Sequence, residues 1–281
     1  MWQKTIKNPI KIEGIGLHSG EWALLNLLPA EVGGIVFSSR DGASTGLAAT
    51  YENVLGTTLG TTISSSDGTL RVSTIEHLMA AIWACDIDNL IIEIEGREVP
   101  ILDGSSSRFI DKIENCGTVE LTTPRKILKI KKSVAVENDF GWMEIKPSKN
   151  FSIAMEVQFD YGGIGTQRCF FGGEPRAFRE NVAMARTFCN VRDIESMKSM
   201  GLARGGSREN AMIFDEKGLL NPDGFRCAEE VVKHKILDCV GDLFTAGHRM
   251  EGALVASKSG HELNNRLLKK IFRDSSNYAL E

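Results

Sequence analysis

Between Glu229 and Ala246 the sequence reads as a helix that is apolar around most of its circumference, carrying Val231, Val232, Ile236, Leu237, Val240, Leu243 and Phe244. Through it runs a line of ionisable groups, His234, Asp238 and Asp242, at i, i+4 and i+8. Consecutive members lie one turn apart on one face. An imidazole and two carboxylates are costly to bury in such a helix unless they are paired or bound to a metal ion. His and Asp at i, i+4 can point at a single ion. Asp242 stands ~12 Å along the helix axis from His234, too far to share that ion comfortably. It reads instead as an outer group that orients another residue. The competing reading is a solvated helix face, because polar i, i+4 pairs are common on surfaces.

A second segment, Ser73-Thr74-Ile75-Glu76-His77, opens a helix that runs through Ala84, with Ile75, Leu78, Met79, Ile82 and Trp83 at helical spacing. Ser73-x-x-Glu76 fits a capping box, with Glu76 folded back on the cap amide and His77 an ordinary first-turn residue. The functional reading makes His77 a third metal ligand and Glu76 a general base. A helix N-terminus disfavours imidazolium, so His77 stays neutral there and able to bind metal. Two His and one carboxylate, with water in the fourth position, form an established catalytic zinc set. The bound water has its pKa lowered towards ~7, and a carboxylate beside it can take the second proton. Such parts suit hydrolysis of an amide or ester. His261, in Lys258-Ser259-Gly260-His261 between a strand and a helix, reads as polar surface unless it lies near the metal. There it would protonate a leaving amine, with Asp242 holding it charged.

The rest of the chain frames these segments. Strand-like runs at 22–28, 34–38 and 90–94 surround the first helix. The pattern breaks at Leu121-Thr122-Thr123-Pro124-Arg125, and a second set of strands follows at 127–131, 134–137, 142–146 and 152–159. Helices are expected at 178–185 and 191–199, a Gly-rich loop at 201–207, a strand at 253–257 and a closing helix at 262–272. Both halves run strands, helix, strand, helix, an α+β order that a duplication would produce, although no repeat shows in the residues themselves. The expected domains are 1–122 and 126–281. With Lys and Arg (33) outnumbered by Asp and Glu (37) and scattered, a nucleic-acid partner is not expected. Six cysteines without a C-x-x-C pair suit reduced thiols in the cytosol. No signal-peptide pattern opens the chain and no apolar run nears the ~20 residues of a membrane span. A cytoplasmic protein is expected, with peripheral membrane contact left open.

Ser73-Thr74-Ile75-Glu76-His77-Leu78, Val99-Pro100-Ile101-Leu102-Asp103-Gly104-Ser105, Ala185-Arg186-Thr187-Phe188, Gly205-Gly206-Ser207, His234-Lys235-x-x-Asp238 and Lys258-Ser259-Gly260-His261-x-Leu263-Asn264 occur in that order. Together they resemble the UDP-3-O-acyl-N-acetylglucosamine deacetylases, zinc enzymes of lipid A biosynthesis, from Gly14 to about Leu268. The resemblance implies two related two-layer α+β domains, each with a small insert and the active site at their interface. It implies zinc on His77, His234 and Asp238, with ferrous iron suited to the same ligands. Glu76 would be the base. His261 would be the cationic acid, supported by Asp242, and Thr187 would help hold the oxyanion. Phe188, Asp193, Lys235 and Lys258 would line the sugar-nucleotide site, the lysines serving as point charges for diphosphate. Ile194, Leu202 and the Gly205-Gly206 turn would belong to an apolar passage for the acyl chain. The substrate implied is an acylated UDP-amino sugar, and the enzyme is expected to be a monomer. Arg208 departs from the apolar residue expected there, which favours a related amidohydrolase acting on a different acylated sugar. Thr62 stands near a position where some members carry a Cys, so no thiol-dependent property is carried over. A non-catalytic UDP-sugar-binding protein is the third reading, though it predicts damaged catalytic positions. A metalloprotease is excluded, because no His-Glu-x-x-His occurs.

Overall fold

The computed structural model describes residues 1–42 and 44–281. Two sheets organise them. The first joins strands in the order Ile10–Ile15, Trp22–Pro29, Leu90–Glu95, Ile35–Ser39 and Thr45–Ala48. In Leu90–Glu95 the buried residues are Leu90, Ile92 and Ile94, the two-residue period of a strand with one face on a core. The second sheet contains the strands Val134–Glu137, Trp142–Lys146, Arg249–Ser257, Phe151–Phe159 and Gly165–Phe171, with Ile127–Ile130 added beside Arg249–Ser257 and Tyr278–Leu280 beside Ile127–Ile130.

The strand order is the same in both. The pairings run antiparallel, antiparallel, parallel, antiparallel along Ile10–Ile15 to Thr45–Ala48 and again along Val134–Glu137 to Gly165–Phe171. A parallel pair needs a crossover connection. In the first half that crossover contains helix α1 (Glu76–Ala84). After α2 (Ser107–Cys116), α3 (Pro175–Asn181) and α4 (Val191–Ser199), the second crossover contains α5 (Glu230–Phe244). The closing helix is α6 (His261–Arg273). The helices bearing the ionisable stripe and the Glu-His pair thus occupy equivalent places in two equivalent units.

All nine residues of α1 are buried, and α1 packs along α5. The backbones nearly touch at Gly241, where a Cβ would stand 2.0 Å from the Glu76 carbonyl oxygen and 3.1 Å from the Ala80 nitrogen. Trp83 of α1 reaches across to Phe171 and Phe178, with ring centroids 6.0 and 5.6 Å away. Arg125, in the segment between the sheets, is pinned to the first unit. Its guanidinium donates to Asp86 Oδ1 at 2.7 Å and to both oxygens of Asp88 at 2.8 and 2.6 Å. No helix among the described residues is long and apolar enough to cross a membrane.

Two expectations change. The helix expected at 178–185 is Pro175–Asn181. Pro175 stands at its start, where a fixed φ and a missing N–H suit a first turn. The following residues are held out of the helix, with the Ala183 carbonyl accepting from Ser106 N–H at 3.0 Å. The helix expected from Ser73 begins at Glu76, because Thr74 adopts a left-handed conformation at φ 57°.

Gly241→Ala should lower unfolding stability by about 1–3 kcal/mol, the usual cost of overpacking, in a denaturant titration. An unchanged midpoint would contradict this spacing of α1 and α5.

Candidate metal and acid–base centre

His234 and Asp238, one turn apart on α5, meet His77 of α1. The Nε2 atoms of His77 and His234 lie 3.5 and 3.4 Å from Asp238 Oδ1, and all three side chains are buried. His234 Nδ1 is 3.2 Å from the Ala185 carbonyl, which can only accept. Nδ1 therefore carries the proton and Nε2 offers its lone pair. Burial pushes the His234 imidazole down to about 3, so it is neutral. Lys235 Nζ donates to Asp238 Oδ2 at 2.6 Å. Burial works against the Lys235 ammonium, but Asp238 outweighs it and raises its pKa.

Asp238 Oδ1 is left facing two imidazoles without a hydrogen-bond partner among the described residues. A buried carboxylate oxygen in that state is destabilised unless a cation meets it. A tetrahedral ion with bonds of about 2.0–2.1 Å spaces its ligands about 3.3 Å apart, close to the separations found. The three residues fit a metal ion in spacing and burial, and His234 offers it a neutral nitrogen.

A second buried group, Glu76, Asp242 and His261, lies beside the first. His261 Nε2 stands 3.9 Å from Glu76 Oε1 and 3.9 Å from Asp238 Oδ2, between the two groups. Its Nδ1 is 2.8 Å from Asp242 Oδ2. Burial lowers the pKa of this imidazole, but Asp242 and Glu76 outweigh it and raise it to about 9. Burial pushes the Glu76 carboxyl up, and the Asp242 and Asp238 carboxylates add to that. The capping-box reading of Ser73-x-x-Glu76 is not met. Glu76 Oε2 accepts from the Thr61 N–H at 2.9 Å, while the Ser73 N–H goes to the Arg97 carbonyl.

Both groups face a cavity of 810 Å³, whose walls include Thr187, Phe188, Asp193, Lys235 and Lys258. The Phe188 ring meets His234 edge-on, with centroids 5.9 Å apart. A second cavity of 300 Å³ shares Leu17, Leu59, Thr187, Phe188, Cys189 and Met197 with the first and adds Ile194 and Gly206. A buried carboxylate of raised pKa, a cationic imidazole and a candidate metal-ligand set with a neutral imidazole on one cavity are equipped for hydrolysis.

The family model described as UDP-3-O-acyl N-acetylglycosamine deacetylase matches residues 3–273. The chain belongs to this family. Proteins named UDP-3-O-acyl-N-acetylglucosamine deacetylase from Shewanella oneidensis and Shewanella baltica are similar to it. Each is 41% identical over 284 aligned positions, spanning 100% of this chain and 92% of that protein. As a member of a deacetylase family, the chain is an enzyme, a hydrolase.

Two residues expected near the substrate of such a deacetylase stand elsewhere. Leu202 lines neither cavity; its N–H bonds the Met197 carbonyl at 2.8 Å, just past the end of α4. Arg208 is exposed and outside both. Lys235 reaches the larger cavity with its ammonium committed to Asp238.

Four other residues escaped the sequence reading. Thr61 links the two carboxylates, its N–H on Glu76 and its Oγ1 donating to Asp242 Oδ1 at 2.6 Å across 181 positions. Asn264 donates to Asp242 Oδ2 at 2.7 Å. His18 lines the smaller cavity, and Glu98 holds the loop that carries it. Only Asn264 left a trace, through its place in the Lys258–Asn264 motif.

Metal analysis after dialysis should find that His77→Ala and Asp238→Ala lose the ion while Glu76→Ala keeps it. Loss from Glu76→Ala would overturn the division between ligand and base.

Proposed function

We propose that the chain hydrolyses the N-acetyl group of UDP-3-O-acyl-N-acetylglucosamine, giving UDP-3-O-acyl-glucosamine and acetate in lipid A biosynthesis, with zinc on His77, His234 and Asp238. The observation that carries this reading is the facing pair of triads, one shaped for a metal ion and the other holding base and acid 3.9 Å apart. The substrate is the one in the relatives' names.

Held by His77, His234 and Asp238, a zinc ion would supply positive charge to acidify a water molecule and polarise the acetyl carbonyl. Glu76, its basicity raised by burial and by its carboxylate neighbours, takes a proton from water as the oxygen attacks the carbonyl carbon. Thr187, fixed by its N–H on the Gly104 carbonyl at 2.9 Å, turns its hydroxyl to the oxygen on which charge develops. His261, charged at neutral pH, gives its proton to the departing nitrogen as the C–N bond breaks, and Asp242 keeps the ring oriented.

Phe188, Asp193 and Lys258 serve the sugar-nucleotide end, with Lys258 exposed at the cavity as a point charge for diphosphate. The 300 Å³ cavity with Ile194 and Gly206 takes the acyl chain. Because Arg208 stands outside it, that residue argues for no different acyl group. The reading extends to units 1–122 and 126–281 with the site between them, and to a cytoplasmic monomer that touches a membrane only peripherally.

Purified protein should release acetate from this substrate, lose activity on chelation and regain it with zinc. Metal bound without acetate release would sink the substrate assignment. The rate should fall above about pH 9, where His261 gives up the proton its carboxylate neighbours hold. Because Asp242 raises that pKa, Asp242→Asn should move the alkaline limb to lower pH. A limb that stays in place would remove His261 from the role of acid.

A further inference from the structure

Glu98 is a buried carboxylate, 4% exposed, with no Lys or Arg ion pair among the described residues. Such an anion is stable only if hydrogen bonds replace its water. Three do: Oε1 accepts from His18 N–H at 2.8 Å and Thr74 Oγ1 at 2.9 Å, and Oε2 accepts from Ser19 N–H at 2.7 Å. The fit leaves no slack, since a Cβ on Gly16 would lie 2.3 Å from Oε2. Glu98 therefore clamps the turn from Gly16 to Gly20, which Gly20 N–H closes on the Gly16 carbonyl at 3.1 Å.

That turn is the seam between the first unit and the Gly-rich insert of the second. Arg204 N–H donates to the His18 carbonyl at 3.1 Å, and Gly205 N–H to the Leu17 carbonyl at 3.0 Å. A Cβ on Gly205 would meet the Gly16 oxygen at 2.2 Å. The His18 ring completes the joint, with Nε2 3.0 Å from the Leu59 carbonyl and Nδ1 accepting from Ala203 N–H at 3.4 Å. Leu17, His18, Leu59, Ala203 and Gly206 are the wall of the 300 Å³ apolar cavity on this side.

We infer that Glu98 is a positioning residue for acyl-chain selectivity, fixing the seam wall against which the distal methylenes of the chain pack. The inference rests on the deacetylase reading. Glu98 touches neither substrate nor reacting atoms. It acts through the main chain of His18 and Ser19. In Glu98→Gln an amide N–H₂ replaces one acceptor and faces a donor, so the turn loses a bond and the wall loosens. Each methylene that leaves apolar contact is worth about fourfold in kcat/KM.

The test compares kcat/KM across UDP-3-O-acyl-N-acetylglucosamines of graded chain length for the parent, Glu98→Gln and Gly205→Ala, with thermal unfolding showing which variants fold. Gly205→Ala opens the same seam from the insert, so the test survives if Glu98→Gln does not fold. The expected result is a long-to-short ratio reduced at least about tenfold in each folded variant. A parental ratio in a folded variant, with all chain lengths affected alike, would reduce Glu98 to a structural residue and overturn the inference. A parent with measurable turnover but no chain-length preference would overturn it too. A parent that hydrolyses none of the series would sink the deacetylase reading itself, a result separable from the other two.

Discussion

Helices α1 and α5 approach each other without a side chain between them at Gly241, and the chemistry of the cavity depends on that contact. Each helix lies in the crossover of a parallel strand pair, at the same place in a five-strand arrangement that occurs twice. Neither helix carries a complete site. Glu76 and His77 come from one, and His234, Asp238 and Asp242 from the other. A side chain at Gly241 would strike the carbonyl of Glu76 itself, so widening the contact would move Glu76 and one imidazole away from the carboxylates opposite. The glycine is thus a functional constraint expressed as packing.

The close approach also crowds charge. Among the described residues, Glu76, Asp238 and Asp242 face two cations, Lys235 and His261. His234 is neutral because burial is the largest influence on it. His261, also largely enclosed, is charged because it lies against Asp242 and near Glu76 and Asp238. Two histidines in one pocket therefore have opposite protonation states, the division that a ligand and a general acid require. Three carboxylates against two cations leave one negative charge over, which a divalent ion would offset. Thr61 and Asn264 hold Asp242 in place, so the charge pattern is fixed by neutral donors as well as by ions.

What could be read beforehand was local. The apolar surround of α5 predicted 229–246, and the helix runs over Glu230–Phe244. The i, i+4 spacing of His234 and Asp238 put both on one face, and the eight-residue offset set Asp242 apart. Local pattern also misled. Ser73-x-x-Glu76 is the same string whether or not the chain turns left-handed at Thr74, and only the turn decides that Glu76 opens the helix. The repeated strand order left no repeated residues, because a topology needs only alternating burial, which unrelated side chains supply. Thr61, His18 and Glu98 were illegible because each acts on atoms far along the chain, and a lone Thr, His or Glu gives no sign of which distant carboxylate, carbonyl or amide it will meet.

The centre depends on one joint, where His77 from the first crossover and His234 with Asp238 from the second would hold a single ion. X-ray absorption at the zinc edge of the loaded protein examines it directly. It should report two imidazole nitrogens and oxygen ligands at about 2.0–2.2 Å. Sulfur at about 2.3 Å, or only one imidazole, would mean that the ion is held elsewhere and that α1 and α5 do not build the centre together.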